Sequence, residues 1–111
     1  MGMPLHQAKA ELFRTMGHPV RVRVLELLQE RPRAVHELLD EIDVEASNLS
    51  QQLAILRRAG LVASSREGST VLYTLATSDV SDVMSAARRI LTELLTDREE
   101  LLSELRAAER V

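Results

Sequence analysis

The apolar pattern of the chain changes its period at Gly60, and this change limits the folds that the chain can adopt. The leucines before Gly60 recur at i, i+4 and i+7, the spacing of one helix face: Leu49, Leu53 and Leu56. Residues 61–75 instead alternate around a turn at 67–69 and are rich in Val, Leu, Thr and Ser, which predicts a two-stranded hairpin. Glycine is favoured just beyond helix ends, so Gly60 is expected to end the helix that precedes the hairpin.

Four more helices are predicted around this segment. They lie at about 5–16, from Pro19 to the residue before Pro32, at about 34–41 and at about 79–108. Gly17 is expected to end the first helix. Pro19 suits the first turn of the second, since the N–H that proline lacks is unpaired there in any case, and His18 lies near the cap. Ser78 or Asp79 is expected to cap the last helix. We therefore predict one domain over 1–111, mainly α with a two-stranded β-hairpin, in the order α-α-α-α-β-β-α.

The last helix carries more apolar surface than a small domain can cover. Its apolar residues alternate in steps of four and three over more than three heptads, a pattern typical of helices that pair with another helix. These residues are Val80, Met84, Ala87, Leu91, Leu94 and Leu101, continued by Leu105. Arg98 is the polar break in the pattern. Together with Leu5 and Leu12 on the first helix, this stripe predicts a dimer interface formed by the first and last helices.

The chain contains no cysteine, which excludes disulfides, thiolate metal sites and thiol redox sensing. The start of the chain, MGMPLHQAKAELF, lacks both the basic and the apolar segment of a secretory signal. No apolar run approaches the roughly 20 residues that span a bilayer. We therefore expect a cytoplasmic protein without a membrane partner.

The net charge of −3 is unevenly distributed along the chain. Residues 76–111 hold five Arg against eight Asp or Glu, and residues 37–45 hold five acidic residues. Residues 46–74, by contrast, contain Arg57, Arg58 and Arg66 against Glu67 alone. An acidic balance argues against a protein that binds any polyanion, but it leaves room for one weakly positive surface around 46–74.

Three stretches of the chain carry a resemblance to a known family. They are GHPVRVRVLELL, VHELLDEIDVEASNLSQQLAILRRAGLV and REGSTVLYTL. In this order they resemble the second helix, the helix-turn-helix and the wing of the ArsR/SmtB family of bacterial repressors, over roughly residues 10–95. The resemblance implies a winged helix-turn-helix at about 34–59 with its wing at about 61–75. It also implies a homodimeric repressor that binds a pseudo-palindromic operator in double-stranded DNA.

The helix at 47–59 is the recognition helix in this arrangement, and its polar residues are mostly uncharged. Asn, Gln and Ser side chains can bond base edges in the major groove, so Ser47, Asn48, Gln51 and Gln52 are predicted to face the bases. Ser50 is expected nearer the core, bonding a phosphate or the backbone. The further DNA-binding candidates are Arg57, Arg58, Arg66 and Ser69. For Arg57 and Arg58, complementing the dipole at the helix end is an equal alternative to phosphate binding.

The resemblance also implies metal sites that this sequence lacks. Many family members hold a metal with a Cys-x-Cys on the third helix, where this chain has Ala34-Val35-His36. A second family site needs histidines on the last helix, but no histidine follows His36. Asp79 and Asp82 are expected to stabilise the helix start and not to hold a cation. We expect no metal and no cofactor, and the effector is a small molecule, a partner or a modification, or there is none.

Two other interpretations remain open. The chain is alternatively a divergent metal-responsive repressor that uses His6, His36 or the carboxylates of the last helix as ligands. The acidic balance and the sparse basic residues of the wing also fit a winged-helix module that binds proteins and not DNA. An enzyme is not expected, because the sequence contains no nucleophile with a matching base, no phosphate-binding glycine loop and no multi-ligand metal cluster.

Overall fold

Five helices and three short strands follow one another in a computed structural model that describes residues 2–109. In chain order they are α1 Leu5–Met16, α2 Pro19–Glu30, β1 Arg33–Ala34, α3 Val35–Glu41, α4 Ala46–Arg58, β2 Val62–Glu67, β3 Thr70–Leu75 and α5 Ser78–Glu109. The chain divides into two units, and the boundary along the chain falls within α5, between Ser81 and Asp82. In the part of the chain that is described, none of these helices is long and apolar enough to cross a membrane.

The sheet contains one strand more than the sequence pattern predicted. Its antiparallel order is β1-β3-β2, with Arg33 opposite Tyr73 and Ala34 opposite Leu72. The predicted two-stranded hairpin is thus correct for β2 and β3 but incomplete. A two-residue strand has no period that a sequence could display, and it forms because the second edge of β3 offers unpaired backbone groups. At the other end, Gly68 adopts a φ of 63° in a two-residue turn, as a type II′ hairpin turn requires.

The core of the first unit is made of aliphatic side chains from α2, α3, α4 and the residues that follow α4. The buried leucines and valines are Val24, Leu25, Leu27, Leu28, Leu38, Leu49, Leu53, Leu56, Leu61, Val62 and Val80. Full burial of each such side chain contributes roughly 1.5–3 kcal/mol. The stripe of α4 identified from its spacing is therefore the face that packs inward, and the opposite face of α4 is left on the surface.

Local hydrogen bonds fix the start of α2 and the end of α4. His18 Nδ1 accepts a hydrogen bond from the N–H of Val20 at 3.2 Å, with Pro19 in the first turn of α2, as the sequence predicted. At the end of α4, Gly60 has a φ of 79°. The N–H of Leu61 donates to the carbonyl of Leu56 at 3.0 Å, and that of Gly60 donates to the carbonyl of Arg57 at 3.0 Å. This pair of bonds is a Schellman motif, and it confirms Gly60 as the residue that ends the helix.

The start of α5 differs from two predictions. Its first turn is capped by Thr77, whose hydroxyl accepts from the N–H of Asp79 at 3.2 Å, so neither Ser78 nor Asp79 is the capping residue. Val80 is only 4% exposed and belongs to the core of the first unit. Its assignment to the dimer interface was therefore wrong. The apolar spacing does not change after Val80. The sequence therefore does not show which residues of the stripe are buried by their own chain.

Candidate nucleic-acid interface

The surface of α4 that faces away from the core is polar and uncharged in its first two turns. Ser47, Ser50 and Gln51 are exposed, and Asn48 is half-buried. Gln52 is only 8% exposed, so the predicted positions of Ser50 and Gln52 are reversed. At 100° per residue, position 52 lies closer to the leucine stripe than position 50 does, and helix geometry alone contained this information. The hydroxyl and amide groups on this exposed face can bond base edges in a major groove.

Asn48 and Gln52 form a bonded pair along α4. Gln52 Nε2 donates to Asn48 Oδ1 at 2.9 Å, one helical turn apart. The other polar atom of the Gln52 amide, Oε1, is buried and has no hydrogen-bond partner among the described residues. Gln52 is therefore placed behind Asn48 and not beside it on the exposed face.

The last turn of α4 is linked to the wing. Arg57 Nη1 donates to Ser64 Oγ of β2 at 3.3 Å. Ser64 lies directly opposite Tyr73 in the sheet, so their side chains share one face. A groove of about 310 Å³ runs along this junction, and its lining residues are Ser50, Leu53, Ala54, Arg57, Arg58 and Tyr73. Tyr73 was missed at the level of sequence, where only the strand register would have shown which residues it meets.

Positive charge on this surface is unneutralised. The two ion pairs within residues 2–109 are Arg31 with Glu37 and Arg33 with Glu30, and both lie outside α4 and the hairpin. The three arginines of the segment, Arg57, Arg58 and Arg66, are all exposed. Arg66 lies on β2 opposite Val71, and Ser69 lies exposed in the turn of the hairpin. A surface with three exposed guanidinium groups outside any ion pair can bind phosphates even on an acidic protein.

The start of α3 is held by an acidic side chain. Glu37 Oε1 accepts from the N–H of Ala34 at 3.0 Å, and Glu37 Oε2 lies 2.7 Å from Arg31 Nη1. The hydrogen bond from the Ala34 backbone, followed by that from Arg31, holds the pKa of Glu37 below its ordinary value. Since α3 is the first helix of the helix-turn-helix, this carboxylate helps to fix the helix that precedes α4.

The residues at the family's metal positions do not fit a metal ion. Ala34 is buried and offers a methyl group, Val35 is equally apolar, and His36 is exposed on its own. His6, Asp79 and Asp82 are likewise exposed. Within residues 2–109 there is no group of three or more His, Asp or Glu side chains arranged to hold a metal. A transition-metal site generally needs three or four such ligands.

The apolar residues predicted for a dimer interface, Val80 apart, are at least partly exposed. Leu5 is 70% exposed, and Leu91 and Leu101 are each 57% exposed. Met84 is half-buried, while Leu12, Ala87 and Leu94 are exposed. Leu105, which continues the predicted stripe, is also exposed, as are Ile90, Leu95 and Leu102 beside it on α5 and Phe13 on α1. On both helices, apolar surface of this extent is exceptional for a monomer.

Comparisons with known proteins agree with this geometry. A family model for bacterial regulatory proteins of the arsR family matches residues 18–64. The uncharacterized HTH-type transcriptional regulator Rv0081 of Mycobacterium tuberculosis is 50% identical over 105 residues, covering 94% of this chain and 92% of Rv0081. The crystal structure of Rv0081 matches with a TM-score of 0.81 at 49% identity, covering 87% of this chain and 98% of that one.

Two more distant relatives extend the comparison. The HTH-type transcriptional repressor SmtB of M. tuberculosis is 40% identical over 77 residues, covering 69% of this chain and 57% of SmtB. The homodimeric winged helix-turn-helix DNA-binding domain of Mb0332 from Mycobacterium bovis matches with a TM-score of 0.72 at 25% identity, covering 85% of this chain and 92% of that domain. Since half of its residues are shared with Rv0081 over nearly its whole length, the chain belongs to the ArsR family of winged helix-turn-helix transcriptional regulators, which bind DNA.

Proposed function

We propose that the protein is a homodimeric repressor that binds a pseudo-palindromic operator through α4 and controls transcription without a metal. The observation that carries the proposal is the exposed first half of α4, where Ser47, Ser50 and Gln51 offer uncharged donors and acceptors. A two-fold dimer would present two copies of this face to successive major grooves, roughly 34 Å apart. Occupying the operator would by itself exclude polymerase, so no catalytic step is part of the proposal.

The residues on the exposed face of α4 are proposed to contact the bases. Gln51 is suited to bond adenine N6 and N7 together, and Ser47 and Ser50 can donate to or accept from several base edges. Each good bidentate contact contributes about 1–3 kcal/mol of discrimination between bases. The small number of such residues means that specificity rests on few contacts, with Gln51 the foremost.

The arginines around the groove between α4 and the wing are proposed to contact phosphates. Arg58 and Arg66 are free to bond phosphate oxygens, while Arg57 is already steered towards the wing by Ser64. Ser69, in the hairpin turn, can donate a further hydrogen bond to the backbone of the DNA. With only three arginines on this face, binding to random DNA is expected to be weak and strongly dependent on salt.

Dimerisation is proposed to use the exposed apolar residues of α1 and α5. Leu5 and Leu12 on α1 would join Met84, Ala87, Leu91, Leu94 and Leu101 on α5 in covering one another across the two-fold axis. Their exposure in the single chain, the heptad-like spacing on α5 and the homodimeric state of the Mb0332 domain support this arrangement. The same protein would work in the cytoplasm, where its operator is accessible.

The test is a titration of labelled DNA from upstream of the protein's own gene, followed by fluorescence anisotropy at several salt concentrations. We expect tight binding that weakens steeply with salt and resists an excess of random DNA. Gln51→Ala should lose preference at one base position. Arg66→Ala should weaken binding to all sequences alike and reduce the salt slope by about 1. A reporter gene behind this operator should be more active when the protein is deleted.

The alternative is a winged-helix module that binds proteins, favoured by the net charge of −3 and by the single arginine on the hairpin. Equal and weak binding to specific and random DNA at moderate salt would support this module and exclude the repressor. A metal-responsive repressor would instead release the operator when a divalent metal is added and recover it with a chelator. A reporter that falls silent on deletion would identify an activator.

A further inference from the structure

The groove between α4 and the hairpin is large enough for a small organic molecule. Its volume is about 310 Å³, and small-molecule sites in proteins begin at about 300 Å³. Its lining residues are Ser50, Leu53, Ala54, Arg57, Arg58 and Tyr73. The five from α4 fall at positions 50, 53, 54, 57 and 58, a spacing that places them on one face of the helix, and Tyr73 comes from β3.

The guanidinium groups of Arg57 and Arg58 are available to an anion in this groove. Arginines at the end of a helix often bond its last carbonyl groups. Here the N–H groups of residues 59–61 already donate to the carbonyls of residues 55–57, each at 3.0 Å. Arg57 gives one of its five N–H donors to the neutral hydroxyl of Ser64, and neither arginine is in an ion pair with a described residue. None of the six lining residues is acidic.

The rest of the lining combines a hydroxyl donor with apolar surface. Tyr73 is half-buried, and its hydroxyl has no hydrogen-bond partner within residues 2–109. Leu53 is 2% exposed, and Ala54 offers a methyl group. The groove thus presents an aromatic ring and aliphatic groups beside two cations.

This combination selects the kind of ligand. Guanidinium groups bind carboxylates and phosphates through pairs of parallel hydrogen bonds. A DNA phosphate could use those bonds, but the DNA backbone has no flat apolar part to cover Leu53, Ala54 and the Tyr73 ring. An aromatic group does, and it gains further stabilisation by packing against the ring of a tyrosine. The lining therefore fits a small aromatic anion better than it fits a stretch of DNA backbone.

We infer that the groove between α4 and the hairpin is an effector site, and that its ligand is a small aromatic molecule with a phosphate or carboxylate group. The anionic group pairs with Arg57 and Arg58, while the aromatic group lies against Tyr73 and Ala54. The regulatory part of this inference rests on the proposed function, in which Ser50 and Arg58 contact the operator. Because the ligand and the operator use the same residues, the ligand releases the operator by direct competition, and neither a metal nor a change of conformation is needed.

The binding test uses the full chain without DNA and phenyl phosphate as the probe. The backbone amide signals of Ser50, Ala54 and Tyr73 are followed by NMR at constant ionic strength, and we expect saturable shifts. Arg58→Ala should weaken binding about tenfold, since a charged hydrogen-bonding group is lost. Arg66→Ala is the matched control. It removes the same charge from the hairpin but lies outside the groove, and salt screening should keep its effect within about twofold.

Inorganic phosphate tests the aromatic part of the ligand. It has the charge of the probe without the ring, and it should bind about tenfold more weakly, because no apolar surface is covered. Equal binding of the two would indicate a site for simple anions such as DNA phosphates, and it would overturn the inference.

The competition test adds phenyl phosphate to the complex of protein and operator. At roughly ten times the dissociation constant of the probe, the operator should bind about tenfold more weakly. Tyr73→Phe keeps the ring and loses the hydroxyl. Measured against its own affinity for the operator, this variant should need about threefold more phenyl phosphate for the same release.

The outcomes separate this inference from the function on which its regulatory part rests. If phenyl phosphate shifts none of the three amide signals, or if Arg58→Ala and Arg66→Ala weaken it equally, the inference fails whether or not the operator is bound. If the probe binds as expected but the protein prefers no DNA sequence, the proposed function fails and the ligand site stands. If the probe binds and leaves operator affinity unchanged, the regulation by competition is wrong.

Discussion

Val80 and Leu91 lie on the same apolar stripe of α5, yet Val80 is 4% exposed and Leu91 is 57% exposed. Val80 belongs to the unit that ends at Ser81, where the chain covers its own apolar residues. Leu91 belongs to the part of α5 that follows, where large apolar residues remain on the surface. The two regions have the same spacing pattern and differ only in what covers them. An apolar stripe therefore shows which face of a helix is to be buried, but not whether the same chain or a second copy buries it.

The largest effect is expected from removing a side chain in the first unit, where the chain buries its own apolar residues. Leu53 is 2% exposed, and Leu53→Ala is expected to lower the free energy of unfolding by about 2–5 kcal/mol, since a cavity is left in the core. Leu91→Ala is the matched control. At a protein concentration low enough to give monomers, its loss should stay within about 0.5 kcal/mol. Chemical denaturation at two concentrations measures both, and equal losses under dilution would mean that Leu91 is covered by its own chain.

Charges placed on the exposed stripe should separate subunits without unfolding the first unit. Leu91→Glu combined with Leu94→Glu is expected to give monomers, because carboxylates are not tolerated in an apolar interface. Operator affinity should fall by about 100-fold, as the two half-sites are no longer bound together. Thr92→Glu with Thr96→Glu adds the same charge outside the stripe and should remain dimeric. Light scattering and DNA titration report the result, and a dimer that survives the leucine changes would place the interface elsewhere.

A smaller effect is expected where α4 meets the wing. At Gly60, φ is 79° and nothing lies within 4 Å of an added Cβ, so only backbone strain opposes a side chain. Gly60→Ala should cost about 1–2 kcal/mol of unfolding free energy. Gly60→Asn should cost less, because asparagine tolerates the left-handed region. Thermal denaturation compares the two. An alanine variant as stable as the wild type would show that the turn has another conformation.

The smallest effect concerns pH and the start of α3. The pKa of Glu37 is held below its ordinary value, first by the hydrogen bond from the Ala34 backbone and then by Arg31. Its contribution to stability is therefore present above the ordinary glutamate pKa and is lost as the pH falls through the lowered one. Glu37→Gln should be slightly less stable than the wild type at neutral pH and equal to it in acid. Asp40→Asn, on the same helix, is the control, and a difference that grows in acid would contradict the assignment.

Much of the first unit could be predicted from local pattern. The leucine spacing of α4, the proline at the start of α2 and the glycine after α4 each act through backbone geometry within a few residues. The helix boundaries and the Schellman motif follow from them. Gln52 was predicted to be exposed because its side chain is polar. Its angle around the helix, close to Leu49 and Leu56, would have predicted the burial that the structure shows. The pairing of β1 with β3 could not be predicted, since two residues carry no period.

The sequence by itself determined the order of the five helices and the hairpin, the apolar stripe of each helix and the family to which the chain belongs. Only the tertiary structure decided that Val80 is core, that Thr77 caps α5, that Tyr73 meets Arg57 and Arg58 at one groove, and that Gln52 lies behind Asn48. The physical reason is the range of the interactions. Capping and amphipathic spacing act between residues that are close in the chain, whereas burial and cross-strand neighbours depend on segments that meet only once the chain has folded.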